Sequence, residues 1–333
     1  MSAVRGADGA GARLVMRDRR TEAAILEVAR GGILRRGLAV SRADAAPVTN
    51  ISSDHFGEYG IDDLAGLADV KLSVAAVLTA RGRLVLNADD ALLRMKDREL
   101  APRYGLVANP AWFAHDWDQT YLRKYRAQGA STCGVRGGRL WLNDAGLEQD
   151  LGLVTAMPLS IGGIAAYNVA NLAAAALVAA SLKIPAHTIA AVFARFGEKS
   201  ADNPGRMMRF EYNGAHALID YAHNPDGLQG LLSVATQLRG QGRLGLLLGH
   251  AGNRQDADIA EVARVAAHFN PDLIVVKEDE AHLRGRAPGE IPRIIRGELL
   301  RLSLRESALP VRDNELDAAR YALEWCPGCR RSA

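Results

Sequence analysis

Short apolar runs alternate with stretches of helical periodicity along most of this chain, and that alternation restricts the fold more than any other feature. Residues 23–29 and 45–51 read as buried strands, 64–78 as a helix, and 83–87 as a third strand. Residues 168–182 form an Ala-rich stretch suited to a helix, and Pro185 opens another over 185–196. A turn cluster, Ala201-Asp-Asn-Pro-Gly205, then interrupts the pattern. Beyond it, strands at 215–220, 244–248 and 273–277 alternate with helices at 225–239, 256–269 and 288–301. Strands that alternate with helices imply an α/β class fold, with a parallel sheet covered on both faces. Residues 100–155 differ: they hold three of the four Trp, short alternating runs and the turn pair Gly137-Gly138. They read as a small β-rich insertion.

The length of 333 residues suits two domains, with the boundary at the 201–205 cluster. A balance of 41 Lys and Arg against 38 Asp and Glu leaves a net charge of +3, which argues against a general nucleic-acid or membrane binder. No apolar run reaches the roughly 20 residues that a membrane span needs. Residues 1–14 lack the apolar segment of a secretory signal, so the expected compartment is the cytoplasm. Three cysteines do not make a disulfide framework. Cys326 and Cys329 are spaced like a redox pair, but they follow a helical run instead of opening one, where the dipole would lower a thiol pKa. Two cysteines also supply only half of a structural zinc site.

In open α/β sheets, ligands bind beyond the carboxyl ends of the strands. Polar residues fall there repeatedly: Glu27 late in the first strand, Thr49-Asn50 with Asp54-His55, Asp220-Tyr-Ala-His-Asn-Pro225, Gly249-His-Ala-Gly-Asn-Arg254, and Lys277-Glu-Asp-Glu280. Each alone is an ordinary polar loop. Together they outline a cleft.

The order Glu27, Thr49-Asn-Ile-Ser-Ser-Asp-His55, Lys71, Tyr167-Asn-Val-Ala-Asn171, Asn203-Pro-Gly-Arg206 and Asp220-Tyr-Ala-His-Asn-Pro225 resembles the Mur ligase superfamily. Three stretches resemble its cyanophycin synthetase branch: residues 27–37, Leu86-Asn-Ala-Asp-Asp90, and Lys277-Glu-Asp-Glu280 with Arg284-Gly-Arg-Ala-Pro-Gly-Glu290. The resemblance implies a central domain over 1–200 and a Rossmann-like C-terminal domain over 201–333. It implies an ATP-dependent ligase that joins a carboxylate to an amine through an acyl phosphate, with Mg2+ offsetting phosphate charge.

By the same resemblance, Glu27 and His55 match metal ligands. A strand-end ion pair for Glu27 and a helix-capping loop His for His55 are the plain alternatives. Lys71 matches a lysine that many members carry carbamylated, and an exposed helix Lys is its alternative. Asn168 and Asn171, three residues apart on one helix face, match the adenine contacts, with helix capping open for Asn168. Arg206 matches a nucleotide-binding Arg and Asp220 a ribose-binding carboxylate, where a domain-boundary ion pair is the alternative. His223 and Asn224 would line the nucleotide side of the cleft, and 249–254 would face the incoming amine.

The superfamily's Gly-x-x-Gly-Lys-Thr/Ser phosphate loop has no match in this sequence. The expectation is therefore an N-terminally truncated central domain, whose loop comes from a preceding segment or a partner chain, and a doubtful last strand after residue 325. The substrates implied are a peptide or small-molecule carboxylate and an amino acid, Arg on the cyanophycin-like branch. There, Glu278, Asp279 and Glu280 could attract a guanidinium or form a solvated loop. Two other readings stay open: a non-catalytic nucleotide- or peptide-binding scaffold, and a marginally folded remnant.

Overall fold

The computed structural model describes residues 9–52, 59–106, 110–278 and 280–326. The chain divides into two units, Met1–Phe196 and Gly197–Ala333.

In the first unit the elements run α1 (Gly9–Arg17), α2 (Arg30–Arg36), β1 (Ala43–Val48), α3 (Leu64–Leu72), β2 (Leu78–Asn87), α4 (Ala91–Tyr104), β3 (Ala111–Asp116), α5 (Thr120–Ala127), β4 (Thr132–Arg136), β5 (Arg139–Asp144), β6 (Leu147–Leu153), α6 (Ala166–Ser181) and α7 (Ala186–Phe193). One six-stranded sheet has the order β1-β2-β3-β4-β5-β6. Its first four strands are parallel, and β4, β5 and β6 form an antiparallel meander. The β-rich stretch 100–155 thus extends the parallel sheet instead of standing apart from it.

Alternation along the strands splits the core. Val85, Phe113, Cys133 and Leu142 pack with Val169, Leu172 and Leu177 of α6 on one face. Leu84, Leu86 and Trp112 pack on the other with Leu72 of α3, Leu93 of α4, and Leu122 and Tyr125 of α5. Burial on both faces explains why these strands read as nearly continuous apolar runs.

Two local expectations differ from the fold. Residues 23–29 join no strand, and Ile25 and Val28 are 66% and 46% exposed. A run of apolar residues becomes a strand only where a neighbour completes its ladder. The helix expected over 64–78 ends at Leu72, and a 3-10 turn over Ser73–Val77 leads into a strand that starts earlier than expected, at Leu78. Gly82 fits there because a Cβ would lie 2.9 Å from the Thr79 nitrogen and 3.0 Å from the Ala43 oxygen.

The second unit holds β7 (Met208–Tyr212), β8 (Ala215–Ile219), α8 (Pro225–Arg239), β9 (Gly245–Leu248), α9 (Asp256–His268), β10 (Leu273–Lys277), α10 (Glu290–Arg301), β11 (Val311–Arg312) and α11 (Glu315–Trp325). A parallel sheet runs β11-β10-β9, and β7 with β8 forms an antiparallel hairpin. The strand read at 215–220 belongs to that hairpin. Asn213 and Gly214, at φ 47 and 80, form a turn whose left-handed backbone suits the strand twist, and Asn-Gly is the sequence pair that adopts it.

Leu246, Leu248, Ile274 and Val276 pack against Leu228 and Leu232 of α8, Ile259 of α9 and Ile295 of α10. Leu273 and Val275 face Ala318 of α11. Among the described residues no helix is long and apolar enough to cross a membrane.

Candidate functional site

In the first unit, polar groups gather at the carboxyl ends of β1, β2 and β3. Lys71, in the last turn of α3, donates from Nζ to the Asn50 carbonyl at 3.1 Å. Asn87, the last residue of β2, donates from Nδ2 to the Thr49 carbonyl at 3.0 Å. Asp90 does two jobs at once. Its Oδ1 accepts the N–H groups of Leu92 and Leu93 at 2.9 and 3.0 Å and so caps α4, and its Oδ2 accepts the Ile51 N–H at 2.6 Å. Asp89 accepts the His115 N–H at 2.6 Å. The segment after β1 is therefore fixed by side chains of the neighbouring strand's end.

The sequence reading took residues 86–90 only as a family marker and missed this positioning role. Asp90 directly before a helical stretch was the available cap signal.

The other residues of interest in this unit stand apart from that cluster. Glu27 is exposed on the stretch before α2. His55 lies outside the described residues. Asn168 is buried in the first turn of α6 and donates from Nδ2 to the Leu159 carbonyl at 3.0 Å, so its amide is not the helix cap. Asn171 is exposed, and its Nδ2 lies 3.5 Å from Asn168 Oδ1, which puts the two amides side by side.

In the second unit, Asp220 follows β8 and its Oδ2 accepts the Met207 N–H at 2.8 Å. Met207 sits at φ 46, a left-handed turn that this bond helps hold. Tyr221 N–H donates to the Gly205 carbonyl at 3.0 Å, which ties the same two segments again. Arg206 is exposed, with its guanidinium carbon 5.3 Å from the centre of the Tyr221 ring. That ring lies 5.2 Å from His223. Asn224 caps α8 by accepting the Gly227 N–H at 2.8 Å, and Pro225 takes the first helical position. The structure thus brings Arg206, Asp220, His223 and Asn224 to one end of the hairpin and α8.

After β9, His250 is mostly buried and its Nδ1 lies 3.1 Å from the Ala251 carbonyl. Burial, aided by the positive Arg254 and by His223, pushes this imidazole below its ordinary pKa, so it is neutral at pH 7. After β10, Lys277 pairs with Glu315 at 3.1 Å.

Glu278 corrects an expectation. It is buried, and both carboxylate oxygens accept the Gly289 N–H, at 3.0 and 2.9 Å, at the start of α10. A carboxylate committed to a helix N-terminus is no lure for a free guanidinium. Asp279 lies outside the described residues.

Comparison with known proteins gives this arrangement a family. Residues 12–179 match the Mur ligase middle domain and residues 205–325 the Mur ligase, glutamate ligase domain. The chain is 34% identical over 285 residues to a cyanophycin synthetase from Synechocystis sp., covering 85% of this chain and 31% of that protein. It is 28% identical over 302 residues to a UDP-N-acetylmuramyl-tripeptide synthetase from Leifsonia xyli subsp. xyli, covering 90% of this chain and 52% of the relative. The chain thus spans about a third of the cyanophycin synthetase and half of the tripeptide synthetase. Its fold matches that of Mycobacterium tuberculosis folylpolyglutamate synthase complexed with ADP and AMPPCP, at a TM-score of 0.67 and 19% identity over 94% of this chain and 64% of that one. On its two matched domains, in this order, the chain belongs to the Mur ligase family.

Proposed function

We propose that this chain is the amide-forming part of an ATP-dependent carboxylate–amine ligase. The observation that best supports the reading is the pair of family domains in sequence, the first carrying Asn168 and Asn171 and the second Arg206, Asp220, His223 and Asn224. In the proposed reaction a substrate carboxylate takes the terminal phosphoryl group of ATP, giving ADP and an acyl phosphate. An amine attacks the acyl carbon, phosphate leaves with the C–O bond pair, and the nitrogen loses a proton as the amide forms.

Positioning and charge stabilisation supply the catalysis in such a transfer. The exposed Asn171 amide offers a donor and an acceptor to a purine, and the buried Asn168, anchored on the Leu159 carbonyl, sits beside it and orients it. Asp220 has an oxygen to offer ribose hydroxyls beside the one that holds Met207. Arg206 offers charge to phosphate, with His223 and Asn224 on the same nucleotide side. Lys71, in the last turn of α3, reaches the segment after β1 at Asn50, as a cation or as a carbamate. The substrates in this reading are a peptide or small-molecule carboxylate and an amino acid, Arg on the cyanophycin-like branch, in the cytoplasm.

A magnesium ion bound with the nucleotide would offset phosphate charge, and Glu27 and His55 are the residues that the family resemblance offers to hold it. Glu27 is exposed, and among the described residues no three His, Cys, Asp or Glu side chains converge. The described residues do not build a magnesium site on their own.

The sequence holds no Gly-x-x-Gly-Lys-Thr/Ser run, so the decisive test reads binding, not turnover. A non-hydrolysable ATP analogue with magnesium is titrated into the chain by calorimetry. Saturable binding is expected. Asp220→Asn keeps an acceptor for Met207 but removes the charge, and it should weaken binding by roughly tenfold to a hundredfold. A folded chain that binds no nucleotide overturns the reading.

A further inference from the structure

Two loops of the second unit interlock beyond the carboxyl ends of β9 and β10. One runs from Gly249 to Gln255, the other from Glu278 to Gly289. Gly252 N–H donates to the His282 carbonyl at 2.8 Å. The approach is close enough that a Cβ on Gly252 would fall 1.9 Å from the Leu283 carbonyl oxygen. Arg286, from the second loop, reaches across the junction with its side chain only 15% exposed.

Its guanidinium makes four contacts. Nε donates to the Gly252 carbonyl at 2.9 Å and Nη2 to the Arg254 carbonyl at 2.6 Å. Nη2 also pairs with Asp256 at 2.7 Å, and Nη1 with Glu290 at 2.5 Å. Asp256 and Glu290 are the first residues of α9 and α10. One planar group therefore ties two backbone carbonyls of the first loop to the starts of two helices. A guanidinium has five N–H donors in a fixed fork, so it can do this; a lysine ammonium, a single point charge, cannot span the same set.

The loop held in this way carries His250 and Arg254 at the end of a parallel sheet, where ligands of such folds bind. Neither the charge of Arg286 nor its position points to a ligand of its own, since its donors are spent inside the protein.

We infer that Arg286 is a positioning residue, which sets the conformation of residues 249–255 and thereby the placement of His250 and Arg254. The inference rests on the ligase reading only for what the loop would meet; the loop geometry stands without it.

The test reads the loop directly, by hydrogen–deuterium exchange of residues 249–256 and by NMR titration of His250, in the chain and in Arg286→Ala. Exchange in that loop is expected to rise at least tenfold, while β10 and the middle of α9 keep their protection. The imidazole titration should move up toward the ordinary histidine value as burial is lost. Guanidinium ion at low, non-denaturing concentration should restore both readouts, and the same concentration of sodium chloride should not. Arg286→Lys should restore them only partly, and it carries the test if Arg286→Ala does not fold.

A loop that exchanges as in the unaltered chain, or a rise spread evenly over the whole second unit with no rescue, overturns the inference. Nucleotide titration of the unaltered chain separates the two proposals. A rescued loop in a chain that binds no nucleotide retains this inference and loses the ligase reading. An unchanged loop in a chain that binds nucleotide does the reverse.

Discussion

The two units fasten their loops at the sheet edge by opposite means. In the first unit, short side chains at the end of one strand hold the segment after its neighbour: Asn87 takes the Thr49 carbonyl and Asp90 the Ile51 N–H. In the second, a long cation from 34 residues downstream holds the loop after β9. The short-range device leaves few degrees of freedom, because Asp90 is already fixed as the cap of α4. The long-range device depends on the second loop being in place first. The first unit's edge should therefore survive local damage elsewhere, while the second unit's edge should fail as a pair of loops.

Gly252→Ala attacks that dependence most directly. The new methyl group would overlap the Leu283 carbonyl, which is backbone and cannot rotate away. Separating the loops should cost about 3 kcal/mol. Urea unfolding followed by peptide-resolved hydrogen exchange should show the loss in the second unit, with the first unit's transition unmoved. Equal loss in both units would mean that the second unit's loops are not held separately from the rest of the chain.

Asp90→Ala is the counterpart in the first unit. It removes the acceptor of three N–H groups, at Ile51, Leu92 and Leu93. The expected loss is about 2 kcal/mol, from the cap and from the stranded Ile51 N–H. Asp90→Asn retains one acceptor oxygen and should recover about half. The same exchange experiment should place the opening at residues 49–52 and the start of α4. If the opening instead spreads through β1 and β2, the segment after β1 is not held separately from its strand.

This contrast also explains what was legible in the sequence. The helix at 225–239 and the strand at 273–277 coincide with α8 and β10, because Asn224-Pro225 marks a cap and Leu273 to Val276 are apolar on both faces. The Asp90 cap carried an equally local signal that went unread, as did the Asn213-Gly214 turn of the hairpin. Residues 23–29 form no strand because an apolar run carries only a tendency toward burial, and Ile25 and Val28 stay exposed where no neighbouring strand completes the ladder. The loop contacts of Arg286 and Glu278 were illegible in the sequence: they reach partners 34 and 11 residues away, and an Arg or Glu in a polar loop has no pattern that reports such a partner. Asn168 lay between these cases, since its spacing from Asn171 was readable but its bond to Leu159 was not.

Acid provides the gentlest probe of how far the second unit relies on its arginines. Glu298 of α10 accepts from Arg301 at 2.7 and 2.8 Å and from Arg264 of α9 at 2.8 Å. These bonds, that to Arg301 first, lower its carboxyl from an ordinary 4.5 to about 2. A carboxyl with a depressed folded pKa binds fewer protons folded than unfolded. Its stabilisation is therefore complete above about pH 4.5 and is lost as pH falls through about 2. Arg301 is well exposed, so solvent and salt screen the pair and keep its contribution small. Glu298→Gln should lower the second unit's stability slightly at pH 7, by less at pH 2, and flatten its acid limb between. The carbonyl contacts of Arg286 do not titrate, so the 249–255 loop should keep part of its protection through the same range. If the loop opens in step with the α9–α10 pair, the carboxylates Asp256 and Glu290 hold Arg286 more than the two carbonyls do, and the second unit's edge is an ion-pair device throughout.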